Sequence, residues 1–302
     1  MPRSGLNSME SSGRFGLSCA LALPFNDDAS IDYRLLAAHA RSTLDAGCSS
    51  VTVFGTTGEG ASVSMGERSK MLGALLSTGI DPRAQIVGGI AAASIGDAIE
   101  QIRILSDSGC GRILLAPPFY FKSVRDEGLY EWFSRVLEKT AHSSVGVILY
   151  HIPSVTQVPL SVDLIRRLKA TFPGVIIGVK DSGGNWPFTE SLLSAHSDLA
   201  ILIGDERHLA AGVRLGAKGA ISGLANLCAP VLLPLIEHGK DDPRVSDLVE
   251  TILKYPVTPA VKALLSYRSR ESRWLTVRPP LVALSPAETR DLGAAYDALF
   301  AS

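Results

Sequence analysis

Short apolar segments of β-forming residues recur along the whole chain, and a glycine, proline or aspartate closes each of them. The eight segments are Leu17–Leu23, Ser50–Phe54, Gln85–Ile90, Arg112–Ala116, Val145–Tyr150, Val175–Lys180, Ala200–Ile203 and Lys218–Ile221. Stretches with helical spacing separate them, among them Ile31–Ala46, Ser94–Ser108 and Asp126–Thr140. Alternating strands and helices build a parallel sheet through right-handed crossovers. Eight such units predict an α/β fold, a closed (β/α)8 TIM barrel rather than an open doubly wound sheet.

The 302 residues are expected to form one structural unit, because α/β barrels run to about 250 residues as a single domain. The polar start, rich in Ser and Gly, predicts a flexible N-terminal arm at residues 1–14. The barrel is predicted at residues 15–226. Residues 227–302 carry no strand pattern and are predicted to form a C-terminal helical extension packed on the barrel.

Charge and hydropathy limit where the chain works and what it binds. The net charge of −1 gives no reason to expect nucleic acid or an anionic membrane as a partner. No apolar run reaches the ~18 residues that a membrane span needs. Leu17–Leu23 is too short for a signal peptide, and Pro24 follows it instead of a small-residue cleavage site. The cytoplasm is therefore predicted.

The four cysteines do not form a metal-site pattern. They are Cys19, Cys48, Cys110 and Cys228. They lack CxxC spacing and have no histidine at zinc-ligand distance. Each lies beside small or apolar residues, so we predict buried thiols in a reducing compartment and no metal site.

Lys180 ends an apolar strand in which side chains alternate between two faces. The expected inward set is Ile176, Gly178 and Lys180, and the expected outward set is Val175, Ile177 and Val179. The same alternation turns Tyr150 inward, so both polar side chains are predicted at the C-terminal mouth of the barrel, where such barrels keep their chemistry. A lysine there loses hydration, which leaves more free amine to form an imine with a carbonyl substrate. The alternative is a lysine that bends out to solvent or pairs with Asp181.

The turn Gly55–Gly60, with the sequence Gly-Thr-Thr-Gly-Glu-Gly, directly follows the second strand. Glycines let backbone N–H groups converge, and the hydroxyls of Thr56 and Thr57 add donors, so the turn can hold a carboxylate or a phosphate. The alternative is an ordinary glycine-rich turn with threonine as a helix cap. The turn lacks the Lys-Ser/Thr of a P-loop, which makes nucleotide binding the poorer interpretation.

Polar residues follow the ends of other predicted strands. Tyr150 can relay protons beside an imine, although a buried tyrosine more often just bonds to backbone. Tyr120 is most simply a surface aromatic, Asp205 is most simply a helix N-cap, and His151 should face away from Tyr150. Together, the candidates at the ends of different strands are Thr56, Thr57, Tyr120, Tyr150, Lys180, Asp205 and Ile221. Purely structural roles do not predict that coincidence.

With these motifs in order, the sequence resembles the dihydrodipicolinate synthase/N-acetylneuraminate lyase family of class I pyruvate aldolases. The match runs from about Leu17 to near the C-terminus. Its motifs are Gly55-Thr-Thr-Gly-Glu59, Pro118-Phe-Tyr120, Tyr150-His-Ile-Pro153, Gly178-Val-Lys-Asp181, Gly204-Asp-Glu206, Gly219-Ala-Ile-Ser222, Pro256-Val-Thr-Pro-Ala-Val-Lys262 and Val277-Arg-Pro-Pro-Leu281. Ordered motifs over most of the chain make this resemblance far more specific than any one motif.

The resemblance implies that Lys180 forms the Schiff base and that Tyr150 relays protons beside it. It also implies that Thr56 links Tyr150 to Tyr120, which in this family typically reaches in from a neighbouring subunit. An imine is a better electron sink than a ketone, so it stabilises the enamine formed when a proton leaves C3 or a C–C bond breaks. Tyr150, hydrogen-bonded through Thr56, would move protons during these steps.

Further implications concern the substrate and the assembly. Thr57 and backbone amides near Gly55 would hold the carboxylate of the 2-oxo acid, and the carbonyl of Ile221 would line the pocket. The partners would be a small 2-oxo acid such as pyruvate together with an aldehyde or a sugar acid. Family members are usually homotetramers, dimers of dimers, and need no metal or organic cofactor.

Two positions depart from authentic dihydrodipicolinate synthases. There, an arginine two residues after the proline of the Tyr-Asn-x-Pro motif binds the aldehyde's carboxylate, whereas this chain has Val155, and His151 replaces the usual Asn. A valine cannot replace a charge-assisted bidentate contact. The pair Asp205-Glu206 instead resembles the lyase branch, whose acidic residues bind sugar-acid hydroxyls.

The first hypothesis is a lyase or synthase that forms a Schiff base and makes or breaks a C–C bond. Dihydrodipicolinate synthase-like condensation, aldol cleavage of a 2-oxo-3-deoxy sugar acid or of N-acetylneuraminate, and dehydration of a sugar acid are its rival reactions. A non-catalytic 2-oxo acid-binding or regulatory protein on the same barrel belongs to another class, as does a phosphate- or nucleotide-binding protein. The intact set of Lys180, Tyr150, Thr56 and Tyr120 argues against loss of catalysis.

Overall fold

Eight parallel strands close into a barrel in which each strand pairs with its neighbours in chain order. The computed structural model describes residues 13–140 and 145–300. The strands are β1 Gly16–Ala20, β2 Ser50–Val53, β3 Ile86–Ile90, β4 Arg112–Leu115, β5 Gly146–His151, β6 Ile176–Asp181, β7 Ala200–Ile203 and β8 Gly219–Ser222. The predicted (β/α)8 TIM barrel is confirmed.

Helices follow the strands and continue past the barrel. They are α1 Tyr33–Asp45, α2 Met65–Leu76, α3 Pro82–Gln85, α4 Ile95–Asp107, α5 Asp126–Thr140, α6 Pro153–Thr156, α7 Val162–Thr171, α8 Trp186–Ala195, α9 Leu209–Arg214, α10 Ala225–His238, α11 Pro243–Ile252, α12 Val257–Ser269 and α13 Pro286–Phe300. The predicted C-terminal helices are present as α10–α13. Most of the predicted arm at residues 1–14 lies outside the described residues. No helix in the described ranges is long and apolar enough to cross a membrane.

Strand β1 ends at Ala20, three residues earlier than the predicted Leu23. Leu21 still donates its N–H to the carbonyl of Thr52 at 3.0 Å. The next residue, Ala22, donates instead to the side-chain oxygen of Asn226 at 3.0 Å, so the backbone leaves the ladder there. The apolar pattern continues because these residues stay buried, which is why burial alone overestimated the strand.

Strand β6 contains an irregularity that its sequence pattern does not show. In the pairing with β5, Val147 lies opposite Ile176 but Ile148 lies opposite Gly178, so Ile177 is the extra residue of a β-bulge. Ile176 therefore packs in the outer core with the helices, and Ile177 packs against the barrel interior. The predicted faces of these two residues were wrong, because an inserted residue reverses the alternation. Val179, beyond the bulge, packs outward as predicted.

Apolar side chains pack in two layers, one on each side of the barrel strands. The outer layer fills the space between strands and helices, and the inner layer fills the barrel itself. The inner layer includes Val87, Leu114, Ile148, Leu202 and Ile221, each at most 1% exposed. A filled interior leaves the carboxyl ends of the strands as the place where a barrel of this kind can bind ligands.

The seam between β8 and β1 requires a glycine. Gly219 pairs with Gly16 and has φ +146°, and a Cβ added at this position would lie 2.0 Å from the carbonyl oxygen of Gly16. We expect Gly219→Ala to lower the free energy of unfolding by more than about 2 kcal/mol, because backbone must move to relieve the clash. The measurement is urea unfolding followed by circular dichroism.

The matched control is Gly66→Ala in α2, where an added Cβ meets nothing within 4 Å. Alanine raises helix propensity there, so the control should unfold at the same urea concentration or a slightly higher one. If Gly219→Ala and Gly66→Ala unfolded at the same urea concentration, the seam between β8 and β1 would tolerate a side chain, and the requirement for glycine at position 219 would be wrong.

Candidate active site

Lys180 and Tyr150 face each other at the carboxyl ends of β6 and β5. The two residues are directly opposite in the strand register. The Nζ of Lys180 donates a hydrogen bond to the Tyr150 hydroxyl at 3.3 Å and lies 4.5 Å from the centre of the tyrosine ring. Lys180 is only 6% exposed. The lysine therefore stays in the barrel mouth and does not bend out to solvent.

The carboxylate of Asp181 is hydrogen-bonded to other groups on the opposite face of β6. Its carboxylate accepts hydrogen bonds from the hydroxyl of Thr189 at 2.6 Å and from the backbone N–H of Gly183 at 2.9 Å. The alternative in which Lys180 pairs with Asp181 is thus not what the structure contains. Lys180 is directed toward the hydroxyl of Tyr150 and not toward a carboxylate.

Thr56 extends this pair into a chain of three polar groups. Its hydroxyl lies 3.4 Å from the Tyr150 hydroxyl, near the outer limit for a hydrogen bond. Thr56 is on the turn after β2, which closes through bonds from the N–H of Gly60 to the carbonyl of Gly55 and from the N–H of Glu59 to the carbonyl of Thr56, both 3.0 Å long. The predicted neighbours Lys180, Tyr150 and Thr56 are thus brought together.

The backbone of this turn is unusual at both ends. Phe54 and Glu59 have φ values of +59° and +49°, in the left-handed region that non-glycine residues seldom adopt. A Cβ added to Gly60 would lie 1.9 Å from the carbonyl oxygen of Phe54, so only glycine fits there. Such strain persists when the surrounding structure enforces it, and it is common at functional sites.

Thr57, Gly55 and Ile221 border the same mouth. The hydroxyl of Thr57 would be 3.4 Å from a Cβ placed on Gly223, which puts the threonine beside the loop that follows β8. Ile221 lies in β8 with its side chain in the inner core. Gly55 lines a cavity next to Tyr150. These positions agree with the predicted clustering at the strand ends.

Thr56 and Tyr150 also line a cavity of about 350 Å³, and Lys180 is not among the described residues that line it. Apolar side chains form most of its wall, including Phe54, Ile90, Leu114, Ala116, Phe119, Ile152, Val155 and Leu281. Among the described residues that line it there is no lysine or arginine. Val155, where the resemblance leads one to expect an arginine, is 58% exposed and lines the edge of the cavity. The cavity thus offers shape and apolar contact but no cation for a carboxylate.

Tyr120 is not brought to Thr56 or Tyr150 within one chain. It is 74% exposed and packs edge-to-face on Phe121, itself 73% exposed, with ring centres 5.3 Å apart. Two adjacent aromatic side chains with this exposure form a protruding apolar contact surface. Within a single chain, Tyr120 corresponds to the surface aromatic of the simpler interpretation.

Asp205 and Glu206 are engaged by their own surroundings. Asp205 caps a short 3-10 helix and forms an ion pair with Arg207 at 2.7 Å. Burial opposes ionisation of Asp205, but the bonds from Arg207 outweigh it and lower its pKa. Glu206 accepts hydrogen bonds from the Ser222 hydroxyl and from the N–H of Leu224. Burial raises the pKa of Glu206, and neither acid bonds to Lys180 or Tyr150.

His151 lies on the outer side of β5, as predicted. Its Nδ1 accepts a hydrogen bond from the N–H of Leu160 at 3.1 Å, and its ring stacks on Phe188 with centres 4.3 Å apart. Burial lowers its pKa, with Asp181 opposing the shift. The imidazole therefore bonds to the loop after β5 on the outer side of the barrel, away from the face that carries Lys180 and Tyr150.

The cysteines are free and buried, as predicted. Burial raises the pKa of Cys48, Cys110 and Cys228 to about 12, so these thiols are poor nucleophiles. Within residues 13–140 and 145–300, no group of three or more His, Cys, Asp or Glu side chains could hold a metal ion.

Sequence reasoning gave no role to a buried ion pair beside the turn. Glu59 and Lys262 have fully buried side chains, and their charged atoms lie 2.6 Å apart. Both residues belong to motifs that carried the family resemblance. The signal that could have found them is that each motif places a charged residue inside an otherwise apolar or glycine-rich segment.

Residues 14–299 match the model of the dihydrodipicolinate synthetase family. The chain belongs to this family. A DapA-like lyase of Chloroflexus aurantiacus is 32% identical over 294 residues, which cover 95% of this chain and 97% of that protein. A 4-hydroxy-tetrahydrodipicolinate synthase of Methanothrix thermoacetophila is 29% identical over 251 residues, covering 82% and 81% of the two chains. Family members are lyases and synthases by name, and this chain is a lyase of the family.

Solved structures agree with the fold in detail. The crystal structure of dihydrodipicolinate synthase from Agrobacterium tumefaciens superposes with a TM-score of 0.93 at 53% identity, covering 95% of this chain and all of that one. A prophage protein of the dihydrodipicolinic acid synthase family from E. coli K12, solved in complex with pyruvate, superposes with a TM-score of 0.85 at 22% identity. That second likeness bears on the fold alone.

Proposed function

We propose that this lyase forms a Schiff base between Lys180 and pyruvate or a related 2-oxo acid, and then makes or breaks a C–C bond. The observation that carries the proposal is the buried Lys180 amine, 3.3 Å from the Tyr150 hydroxyl at the mouth of the barrel. A lysine held in a barrel mouth beside a phenol hydroxyl that can transfer protons suits nucleophilic attack on a carbonyl. The pyruvate complex of the E. coli prophage protein supports pyruvate as the first ligand to test.

The proposed chemistry begins with the unprotonated Nζ of Lys180. It attacks C2 of the 2-oxo acid to give a carbinolamine, and the Tyr150 hydroxyl donates a proton to the departing C2 oxygen, which leaves as water. C3 then gives up a proton to the Tyr150 phenolate, which restores the phenol, and the iminium ion accepts the electron pair to become an enamine. C3 of the enamine attacks an aldehyde carbon, and Tyr150 returns a proton to the new alkoxide. The reverse order of steps cleaves the bond.

Thr56 and the turn after β2 have supporting roles in this proposal. Thr56, 3.4 Å from the Tyr150 hydroxyl, passes protons to and from Tyr150. Thr57 and the backbone N–H groups near Gly55 hold the carboxylate of the 2-oxo acid, with the carbonyl of Ile221 lining the opposite side. Fixed donors of this kind orient the substrate before reaction.

For the second substrate, two observations bear on the choice. Val155 at the edge of the apolar cavity provides no cation for a second carboxylate, which weighs against the lysine-pathway aldehyde. The 53% identity to the Agrobacterium tumefaciens dihydrodipicolinate synthase favours aldol chemistry of that type.

Cleavage or dehydration of a 2-oxo-3-deoxy sugar acid, or an N-acetylneuraminate lyase-like reaction, is the second candidate, because it needs no cation at position 155. In it, Asp205 and Glu206 would have to exchange partners to reach sugar hydroxyls.

The test of the imine is intact-protein mass spectrometry after incubation with pyruvate and borohydride, followed by peptide mapping. We expect one reduced pyruvate adduct per chain, located on Lys180. A folded protein that gives no adduct, beside a control aldolase that does, would contradict the Schiff-base proposal. It would leave a non-catalytic 2-oxo acid-binding protein as the better description. Parallel screening of aldehydes and 2-oxo-3-deoxy acids separates the candidate reactions.

We further propose that Tyr120 completes the site of a neighbouring subunit in a homotetramer built as a dimer of dimers. Two features support this proposal. The exposed Tyr120–Phe121 pair protrudes from the surface, and the apolar cavity beside Thr56 is a concave surface that such a pair from another subunit could enter. Mixing Lys180→Met subunits with Tyr120→Phe subunits should restore activity, since each mixed dimer contains one complete site. Statistical exchange gives half mixed dimers, hence about a quarter of the wild-type sites.

The separate variants provide the baseline for this experiment, and sedimentation of each confirms its assembly. Activity that stays at the sum of the two separate variants after subunit exchange would show that Tyr120 acts within its own chain or not at all. An active monomer in sedimentation would contradict the assembly outright.

A further inference from the structure

One face of helix α12, outside the barrel, holds the turn that carries Thr56 and Thr57. The hydroxyl of Thr258 donates to the backbone carbonyl of Thr56 at 3.3 Å. Four residues later, the Nζ of Lys262 donates to Glu59 at 2.6 Å. Residues four apart lie on the same side of a helix. Helix α12 therefore bonds to the turn both near its start, at Thr56, and near its end, at Glu59.

The Lys262–Glu59 contact is fully buried and fully bonded. Both side chains are 0% exposed, and the second carboxylate oxygen of Glu59 accepts the backbone N–H of Arg278 at 2.9 Å. Lys262 also donates to the carbonyl of Thr276, and its Nζ lies 4.3 Å from the centre of the Phe25 ring. A buried pair of this kind adds little net stability over apolar packing. What it does supply is a fixed position for Glu59.

A second buried cation holds the other flank of the turn. Arg68 of α2 donates to the carbonyls of Gly60 at 2.8 Å and Gly89 at 3.1 Å, and its guanidinium lies 4.4 Å from the centre of the Phe54 ring. The strained positions Phe54 and Glu59 are thus each in contact with a buried cation. The barrel side and the helical side together enforce a backbone that the turn would not adopt alone.

The position of the turn matters because its link to Tyr150 has little tolerance. The Thr56–Tyr150 distance of 3.4 Å is already near the limit of a hydrogen bond. A shift of a few tenths of an ångström outward would break it, and misplacement by about 1 Å can cost about 100-fold in rate. Anything that releases the turn from α12 should therefore act on the Tyr150 proton path and on the carboxylate donors together.

We propose that Thr258 and Lys262 are positioning residues, which hold the Thr56–Thr57 turn against Tyr150 and so make the C-terminal helix α12 part of the active-site machinery. This inference rests on the proposed Schiff-base function. It concerns residues outside the barrel that bond to the turn, of which Thr258 also lines the cavity beside Tyr150. Their effect passes through the turn.

The first experiment compares Thr258→Val with Thr258→Ser. Valine keeps the shape but removes the hydroxyl that bonds to Thr56, whereas serine keeps it. We expect Thr258→Val to lower kcat/KM for pyruvate about tenfold and to slow borohydride trapping of the imine, and Thr258→Ser to restore both to near wild type. The matched control is Thr251→Val in α11, whose hydroxyl donates to the carbonyl of Asp247 at 2.8 Å on the surface.

The second experiment concerns the ion pair. Lys262→Met alone leaves the carboxylate of Glu59 buried without a cation, which threatens folding. The double variant Glu59→Gln with Lys262→Met removes both charges, and we expect it to fold but to lose about 10- to 100-fold in kcat/KM. Lys254→Met, at an exposed position just before α12, is the control for lysine removal.

The outcomes separate the inference from the function on which it rests. Thr258→Val and the double variant with wild-type kcat, KM and trapping rate would overturn the positioning role, whatever their melting temperatures. If the double variant does not fold, the Thr258 pair alone decides. Failure of the wild-type enzyme to form any pyruvate adduct would instead contradict the Schiff-base function itself.

Discussion

Lys180→Met is expected to abolish the pyruvate adduct and to lower kcat by at least about 10⁴-fold, because covalent catalysis has no second route once the nucleophile is removed. Methionine is close to lysine in length and apolar, so it suits a position that is 6% exposed. The fold should therefore remain intact. The measurements are turnover of the 2-oxo acid and mass of the borohydride-treated protein, with circular dichroism to verify folding.

Lys70→Met is the matched control, since Lys70 lies exposed on α2. It should keep both the adduct and the turnover of the wild type. An adduct that persists in Lys180→Met would assign the imine to another lysine. Substantial turnover without any adduct would show that the reaction does not pass through a Schiff base.

Tyr150→Phe should lower kcat by about 10²- to 10⁴-fold, which is the usual range for removal of a general acid–base group. The ring stays in the inner core, but the hydroxyl that bonds to both Lys180 and Thr56 is lost. Loss of water from the carbinolamine needs a proton donor, so trapping of the imine should also slow. Reactions stopped with borohydride at short times and analysed by mass spectrometry measure the rate of imine trapping separately from turnover.

The control for the hydroxyl is Tyr130→Phe, which removes a surface hydrogen bond to Thr171 of 2.8 Å. It should behave as wild type in both measurements. Rapid imine trapping in Tyr150→Phe, with loss of turnover alone, would limit the tyrosine to the carbon–carbon step. Wild-type rates throughout would remove Tyr150 from the mechanism.

The strand pattern was predictable because buried parallel strands leave a strong local signal. Seven of the eight segments matched to within about one residue at each end, and β1 was too long because Leu21–Leu23 remain buried after leaving the ladder. The inward direction of Lys180 and Tyr150 followed from alternation and is confirmed. The bulge at Ile177 was not predictable, because an inserted aliphatic residue looks like its neighbours in sequence.

The candidate site was predictable only where its residues end strands. Lys180, Tyr150 and Thr56 meet because the carboxyl ends of all eight strands share one mouth. The contact of Glu59 with Lys262 joins segments about 200 residues apart in the chain, and no local periodicity reports such a pairing. Asp205 and Glu206 show the opposite problem, since their sequence resemblance did not reveal that Arg207 and Ser222 already engage them.

The pairing of Gly16 with Gly219 has a consequence for how the protein is made. Strand β1 leaves the ribosome first, but its second partner, β8, is about 200 residues behind it. At ~5–20 residues per second, translation of that interval takes about 10–40 s. Throughout this time the growing sheet has two open edges, each able to pair with another nascent chain. Chaperones that bind early, or changes in the rate of translation, are therefore expected to change the yield of the folded barrel.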